Sequence, residues 1–292
     1  MGLKTAIIGS GNIGCDILCK VLAEPGLDCA IFAGRSKESS GLTFARERGV
    51  ETTPRGIDGL MECIDQFDLV FDATSASAHE GHAPCLIEAG KAIINLTPTP
   101  MGELCVPSLN GMELVDASNI NMITCGGQAS IPIAAAIARA NPDVRYIEVV
   151  SSISAESAGP ATRRNLSNYI TTTENALKQF TQCEDVKAIL NINPAKPNVY
   201  MQTAVSALID EVDLAATQRE VDLAVRQVQS AVPGYEVVVG LHYSGNRLFT
   251  MVRVEGAGHY LDPSAGNLDI ITASATYMAA LRARSCVAEL VA

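Results

Sequence analysis

The segment Thr124-Cys125-Gly126-Gly127-Gln128-Ala129 sets a thiol just ahead of a run, residues 133–139, that reads as helix. A cysteine so placed can be a nucleophile. Backbone N–H groups at a helix start carry partial positive charge, which favours thiolate and can cradle the oxyanion formed when sulfur attacks a carbonyl. Gly126 and Gly127 have no Cβ and let a substrate approach the backbone. The plainer alternative is a buried structural cysteine, since free Cys is among the most buried residue types.

A second constellation lies near the N-terminus. An apolar run, residues 5–8, leads into Gly9, Gly11 and Gly14 with G-x-G-x-x-G spacing, and Ile17, Leu18, Val21 and Leu22 follow at helical spacing. Strand, glycine turn and helix in that order form a pyrophosphate cradle, here Gly9, Ser10, Gly11, Asn12, Ile13 and Gly14. The second strand, residues 29–33, should end in a carboxylate if NAD is the cofactor. Instead Gly34-Arg35-Ser36-Lys37 offers a guanidinium, a hydroxyl and an ammonium where a 2′-phosphate would lie. That favours NADP; an Arg35 that only stacks on the adenine would permit either cofactor.

Other candidates read more modestly. His79 and His82 are three apart without a convincing third ligand, so no metal is expected; His79 is placed beside the cofactor and His82 on a helix surface. Cys15 and Cys19, at i and i+4, read as helix core. Arg163 is a candidate phosphate ligand. For His259 a structural hydrogen bond competes with a catalytic role.

These residues need elements to carry them. Residues 67–75 read as a buried strand whose carboxyl end, with Thr74, faces ligand in an open parallel sheet. A helix at 81–89 leads to a strand at 91–98, and residues 121–124 deliver Cys125. The rhythm then changes: strands at 145–153 and 188–192, a helix at 220–231, a turn at Pro233-Gly234, strands at 236–243 and 248–254, and a final helix at 268–291. The expected class is α/β, a Rossmann dinucleotide-binding domain (1–127 and 267–292) with an α+β catalytic and dimerisation domain (128–266).

Composition narrows the function. Over 292 residues the formal charge is 21 − 32 = −11, with no basic stripe, so nucleic acid is not expected as a partner. Nine cysteines lack C-x-x-C spacing, and the chain enters its first strand with no charged and apolar leader, as expected of a reduced cytoplasmic protein. The most apolar stretch, 131–138, is too short for a bilayer, so no membrane association is expected. With six Phe, seven Tyr and no Trp, the core should be built of small aliphatics.

The chain resembles the acylating acetaldehyde dehydrogenases, the CoA-dependent partners of pyruvate aldolases in aromatic degradation. The resemblance runs over most of the sequence and is carried by residues 9–14, 71–76, 96–98, 124–129, 157–163, 259–261 and 265–270. It implies a semialdehyde dehydrogenase/glyceraldehyde-phosphate dehydrogenase-like fold and an acyl thioester on Cys125. It further implies CoA as co-substrate, an aldehyde and its acyl-CoA as the interconverted pair, and a homodimer or higher homo-oligomer. Around the cofactor it places Ser10–Ile13, the loop 155–163 with Ser157, Ala158, Gly159 and Pro160, and Asn267. Three departures stand out. Arg35-Ser36 replaces the family's Ile-Asp. Thr203 stands where the family has an aspartate assigned as general base, leaving either a thiol that is already thiolate or another base among His259, Asp210 and Glu211. Ser244-Gly245-Asn246 makes a shorter connection before Val254, which bears on the aldolase partner and the acyl size. Two alternatives stay open: a semialdehyde dehydrogenase that discharges its thioester to phosphate or water, and a non-catalytic cofactor-binding subunit.

Overall fold

Ala6, Ile7 and Ile8 are at most 2% exposed, so β1 (Leu3–Ile8) is covered on both faces, the usual condition of a parallel strand. The computed structural model describes residues 2–159 and 163–291. By internal contacts the chain divides into two units, 1–122 with 259–261 and 272–292, and 123–258 with 262–271.

The first unit continues through α1 (Asn12–Ala23), β2 (Leu27–Ala33), α2 (Ser40–Glu47), β3 (Glu51–Thr53), α3 (Gly56–Met61), β4 (Leu69–Asp72), α4 (Ala76–Glu88), β5 (Ala92–Asn95), β6 (Glu103–Leu104), α5 (Pro107–Asn110) and β7 (Asn119–Asn121). The sheet has the order β3-β2-β1-β4-β5-β7-β6, and every pairing in it is parallel. The strand order reverses between β1 and β4, the switch point at which open parallel sheets take ligands beyond their carboxyl ends. Its core is Ala6, Ile8, Ile31, Ala33, Phe67, Val70 and Ile93 against Leu60, Ala83 and Leu86, the small-aliphatic packing the composition calls for.

The second unit holds α6 (Cys125–Ala140), β8 (Tyr146–Ser154), α7 (Leu166–Thr181), β9 (Val186–Asn193), β10 (Met201–Leu208), α8 (Leu214–Gln229), β11 (Tyr235–Ser244) and β12 (Arg247–Val254). The sheet order is β11-β12-β10-β8-β9, antiparallel except for β8 with β9. A Rossmann sheet with a second, mixed sheet is the expected class. The last helix, α9 (Gly266–Val291), contributes residues to both units.

Several elements differ from the sequence reading. Helix α4 starts at Ala76 rather than 81, because the Ser75 hydroxyl accepts the Ala78 N–H and caps it. Helix α6 starts at Cys125 itself and runs through Pro132, well before residue 133. Thr124 caps it by accepting the Gly127 N–H at 2.9 Å, and residues 126–138 are all buried, so tertiary packing outweighs the N–H that Pro132 lacks. Strand β10 and helix α7 have no counterpart in the sequence reading. No helix among the described residues is long and apolar enough to cross a membrane.

Candidate active site

The glycine turn has the geometry its spacing predicts. Gly9 has φ +114, and a Cβ on it would lie 2.4 Å from the Ala73 carbonyl oxygen. A Cβ on Gly14 would lie 1.8 Å from the Gly9 carbonyl oxygen, so only glycine lets α1 sit this close to β1. At Gly11 nothing lies within 4 Å of that position, and no side chain caps the helix start there. The cradle is therefore open where an anion would sit, and the first N–H groups of α1 face it. Ser10 Oγ is held 2.7 Å from Ser39 Oγ. Arg35, Ser36 and Lys37 follow β2 and are exposed, and Asn12 is exposed on the turn.

At the end of β4 the Asp72 carboxylate is fully buried. Its Oδ1 accepts the Thr74 N–H at 3.1 Å and the Thr74 hydroxyl at 2.5 Å. Its Oδ2 faces Nδ1 of both His79 and His82, each at 3.0 Å. Burial pushes the Asp72 carboxyl up, but hydrogen bonds from His79, His82 and Thr74 overcome it and hold the pKa at about 2. This corrects the placement of His82, which is half-buried and turned inward onto Asp72 because α4 starts a turn earlier than expected. Among the described residues no group of three His, Cys, Asp or Glu could hold a metal.

In the second unit the chain enters Cys125 through a strained residue. Ile123 has φ 62, a left-handed conformation that costs a β-branched residue about 1–3 kcal/mol. Strain held at one position by surrounding structure clusters at functional sites. Thr124 then caps α6 with Cys125 as its first residue. Cys125 is half-buried, with Sγ 3.8 Å from the Tyr169 hydroxyl. That hydroxyl also accepts the Gly126 N–H at 3.0 Å. Ser151 and Thr203, both buried, join hydroxyls at 2.9 Å, and a Cβ on Gly126 would lie 2.8 Å from Ser151 Oγ.

Burial pushes the Cys125 thiol up; the Tyr169 hydroxyl and the N–H groups of Gly126 and Cys125 pull it back without cancelling. The net direction is opposite to that expected from the helix start alone. Two of the N–H groups that could have formed an oxyanion cradle are also engaged, Gly126 by Tyr169 and Gly127 by Thr124.

The other residues singled out by type and spacing fall as follows. Ser157 donates its hydroxyl to the Ser154 carbonyl at 2.9 Å, Ala158 is buried, and Gly159 closes the turn by donating to the Ser157 carbonyl. Pro160 lies outside the described residues. Arg163 donates Nε to the Ala158 carbonyl and Nη2 to the Ala155 carbonyl, both at 2.9 Å, so its guanidinium braces this loop. Asn267 is 2% exposed and its Oδ1 has no hydrogen-bond partner. Asp210 is exposed and paired with Arg145 at 2.6 Å. Glu211 beside it is exposed. His259 is exposed. Tyr169, Thr173 and Ser151 were not singled out from sequence, because a phenol in a threonine-rich stretch announces no partner 44 positions away.

Comparison with known proteins places this arrangement. Residues 125–262 match the family model for prokaryotic acetaldehyde dehydrogenase, dimerisation. Acetaldehyde dehydrogenase of Pectobacterium atrosepticum is 48% identical over 275 residues, 94% of this chain and 93% of that protein. Its counterpart in Spirochaeta aurantia is 47% identical over 277 residues, 95% of this chain and 93% of the relative. Among solved structures, aspartate semialdehyde dehydrogenase II of Vibrio cholerae superposes with a TM-score of 0.68 at 14% identity, covering 97% of this chain and 99% of that one. At that identity the likeness speaks to the fold.

Proposed function

The chain belongs to the acetaldehyde dehydrogenase family, oxidoreductases acting on aldehydes, and from that membership and the Cys125 turn we propose a CoA-acylating aldehyde dehydrogenase that interconverts an aldehyde and its acyl-CoA through a thioester on Cys125. The observation that carries this is the half-buried Cys125, delivered by a strained Ile123 to the first turn of α6 and within reach of the Tyr169 hydroxyl.

The chain's own residues divide the work. Cys125 loses its thiol proton to solvent, and the thiolate adds to the aldehyde carbon, so that the substrate is held as a thiohemiacetal on sulfur. The thiolate of CoA later displaces Cys125 from the acyl carbon, and Cys125 returns as thiolate. Between these events a bound nicotinamide dinucleotide supplies the hydride acceptor, or the donor in reverse. Gly9, Ser10, Gly11, Asn12, Ile13 and Gly14 would hold its pyrophosphate, with Thr74 also in contact. The open cradle at Gly11 fits such a group. Arg35 and Ser36 favour NADP.

A homodimer is supported by the match to a dimerisation model. Alternation on the second sheet agrees. Ile147, Val149, Ser151 and Ile153 are buried on one face, while Phe249 and Met251 on the other are half-buried and Val238 and Val239 of β11 stay exposed in a single chain, so that this mixed face, which also carries Glu148, Gln202, Arg247 and Arg253, keeps accessible apolar side chains for a second copy.

The test follows nicotinamide absorbance with a panel of short and medium aldehydes, NADP or NAD, and CoA, phosphate or neither. CoA-dependent reduction that vanishes in Cys125→Ala is expected. Turnover with phosphate or water alone would identify a semialdehyde dehydrogenase, and binding of dinucleotide without turnover in either direction would identify a non-catalytic subunit.

A further inference from the structure

We propose that Tyr169 is a positioning residue for the nucleophile: its phenol O–H donates to the Cys125 sulfur and sets where that sulfur becomes thiolate, in a site with no carboxylate at position 203. This rests on Cys125 being the nucleophile.

The direction of the hydrogen bond follows from counting protons. A phenol oxygen carries one hydrogen and can accept others. The Gly126 N–H points at that oxygen from 3.0 Å and can only donate. The phenol proton is therefore free for another acceptor, and Cys125 Sγ lies 3.8 Å away. A neutral thiol is a weak acceptor, whereas a thiolate is a strong one, so the contact stabilises the ionised sulfur selectively. Because the Gly126 N–H is engaged with the phenol, the positive end of α6 acts on the sulfur partly through Tyr169, since a donor polarises the group that accepts from it.

Tyr169 is also held in place. Thr173 donates its hydroxyl to the Tyr169 carbonyl at 2.7 Å. The 2.8 Å contact between Thr124 and Thr173 hydroxyls must then run from Thr124 to Thr173, while Thr124 accepts the Gly127 N–H. Each hydroxyl donates once, and the chain ties α7 to the first turn of α6. Burial, and then the charge that Cys125 would carry, keep the Tyr169 phenol well above its ordinary range, so it retains its proton while the Cys125 proton leaves to solvent. The phenol, which stays neutral, can stabilise a thiolate by donation and cannot accept the thiol proton at neutral pH.

The experiment is the pH dependence of iodoacetamide alkylation at Cys125, read by peptide mass spectrometry, in wild type and Tyr169→Phe. The Phe variant keeps the ring and removes only the donor. Loss of a hydrogen bond to a charged group should move the apparent pKa of Cys125 upward by about one unit and slow alkylation at neutral pH about tenfold. Superimposable profiles would overturn the proposal. Should Tyr169→Phe not fold, biosynthetic 3-fluorotyrosine supplies a more acidic, nearly isosteric donor; a downward shift is then expected, and none would overturn it. The assay uses no aldehyde, dinucleotide or CoA. An unchanged profile alongside CoA-dependent turnover therefore removes Tyr169 alone, whereas a shifted profile without turnover keeps Tyr169 and removes the acylating function.

Discussion

Asp72 and His79 meet at 3.0 Å with neither side chain exposed to solvent. His82 reaches the same carboxylate oxygen from one helical turn further along α4, also at 3.0 Å. The other oxygen fixes Thr74 at the carboxyl end of β4. A buried carboxylate thus joins the helix after the strand to the loop proposed to touch the cofactor.

The Asp72 carboxyl falls from 3.8 to about 2 in the folded protein. A depressed native pKa adds stability that is fully present above the unfolded pKa and lost as pH falls through the native one. The contribution of about 2 kcal/mol should therefore be complete above about pH 5 and disappear toward pH 2. Urea denaturation across that window should show wild type losing this amount relative to Asp72→Asn, whose side chain does not ionise. Parallel pH dependences would mean the histidine contacts do not hold the charge.

The last two glycines of the nucleotide turn should separate folding from binding. Gly14→Ala forces a methyl onto the Gly9 carbonyl and should cost about 1–3 kcal/mol or more in stability. Gly11→Ala meets no protein atom within 4 Å, so thermal unfolding should hardly move while dinucleotide affinity falls as the methyl fills the anion's place. Calorimetric titration beside melting curves decides it; a Gly11→Ala variant that binds normally would place the pyrophosphate elsewhere.

How much of this was open to inspection in the sequence depended on how local the cause was. The Gly9–Gly14 turn could be read because strand, glycines and helix are contiguous and Gly14 answers a backbone clash with Gly9 within the motif. Cys125 could be read for the same reason. Helix α7 was passed over although its buried positions, Tyr169, Thr172, Thr173, Ala176, Leu177 and Thr181, recur at helical spacing, because most of them are Tyr or Thr, residues of modest helix propensity. Strand β10 was hidden because Gln202, Ala204 and Ser206 alternate with Thr203, Val205 and Ala207, a weak apolar signal. The hydroxyl beside Cys125 comes from α7, and Thr203 of β10 pairs with Ser151 of β8. The expectation of free helix-start N–H groups could not foresee that a phenol would occupy one of them.

Arg35 and Ser36 follow β2 and are exposed, so replacing them should leave stability within about 0.5 kcal/mol of wild type. Removing a charge-assisted contact to a 2′-phosphate should nonetheless lower the affinity for NADP about tenfold or more. Affinity for NAD should change little in Arg35→Ala. Paired titrations with the two dinucleotides check this. Equal losses for both would show Arg35 stacking on adenine, with no discrimination by phosphate.

Gly126 is the residue at which packing and chemistry are least separable. A Cβ there would stand 2.1 Å from the Tyr169 hydroxyl and 2.8 Å from Ser151 Oγ, and neither neighbour is the free end of a flexible chain. Tyr169 is buried and tied through Thr173, and Ser151 is buried and tied to Thr203. Gly126→Ala must therefore push the phenol away from the start of α6, break its bond from the Gly126 N–H, and remove it from the Cys125 sulfur. Stability should fall by about 1–3 kcal/mol, as for overpacking in a filled core, and aldehyde turnover should fall further than that loss explains. In the double variant Gly126→Ala/Tyr169→Phe the closer of the two clashes is removed, while Ser151 Oγ still lies 2.8 Å from the methyl, so Ser151 must yield for the rest. Much of the stability should return by chemical denaturation while turnover stays low, because the donor to sulfur is gone. Turnover recovered along with stability would show that the phenol served packing alone.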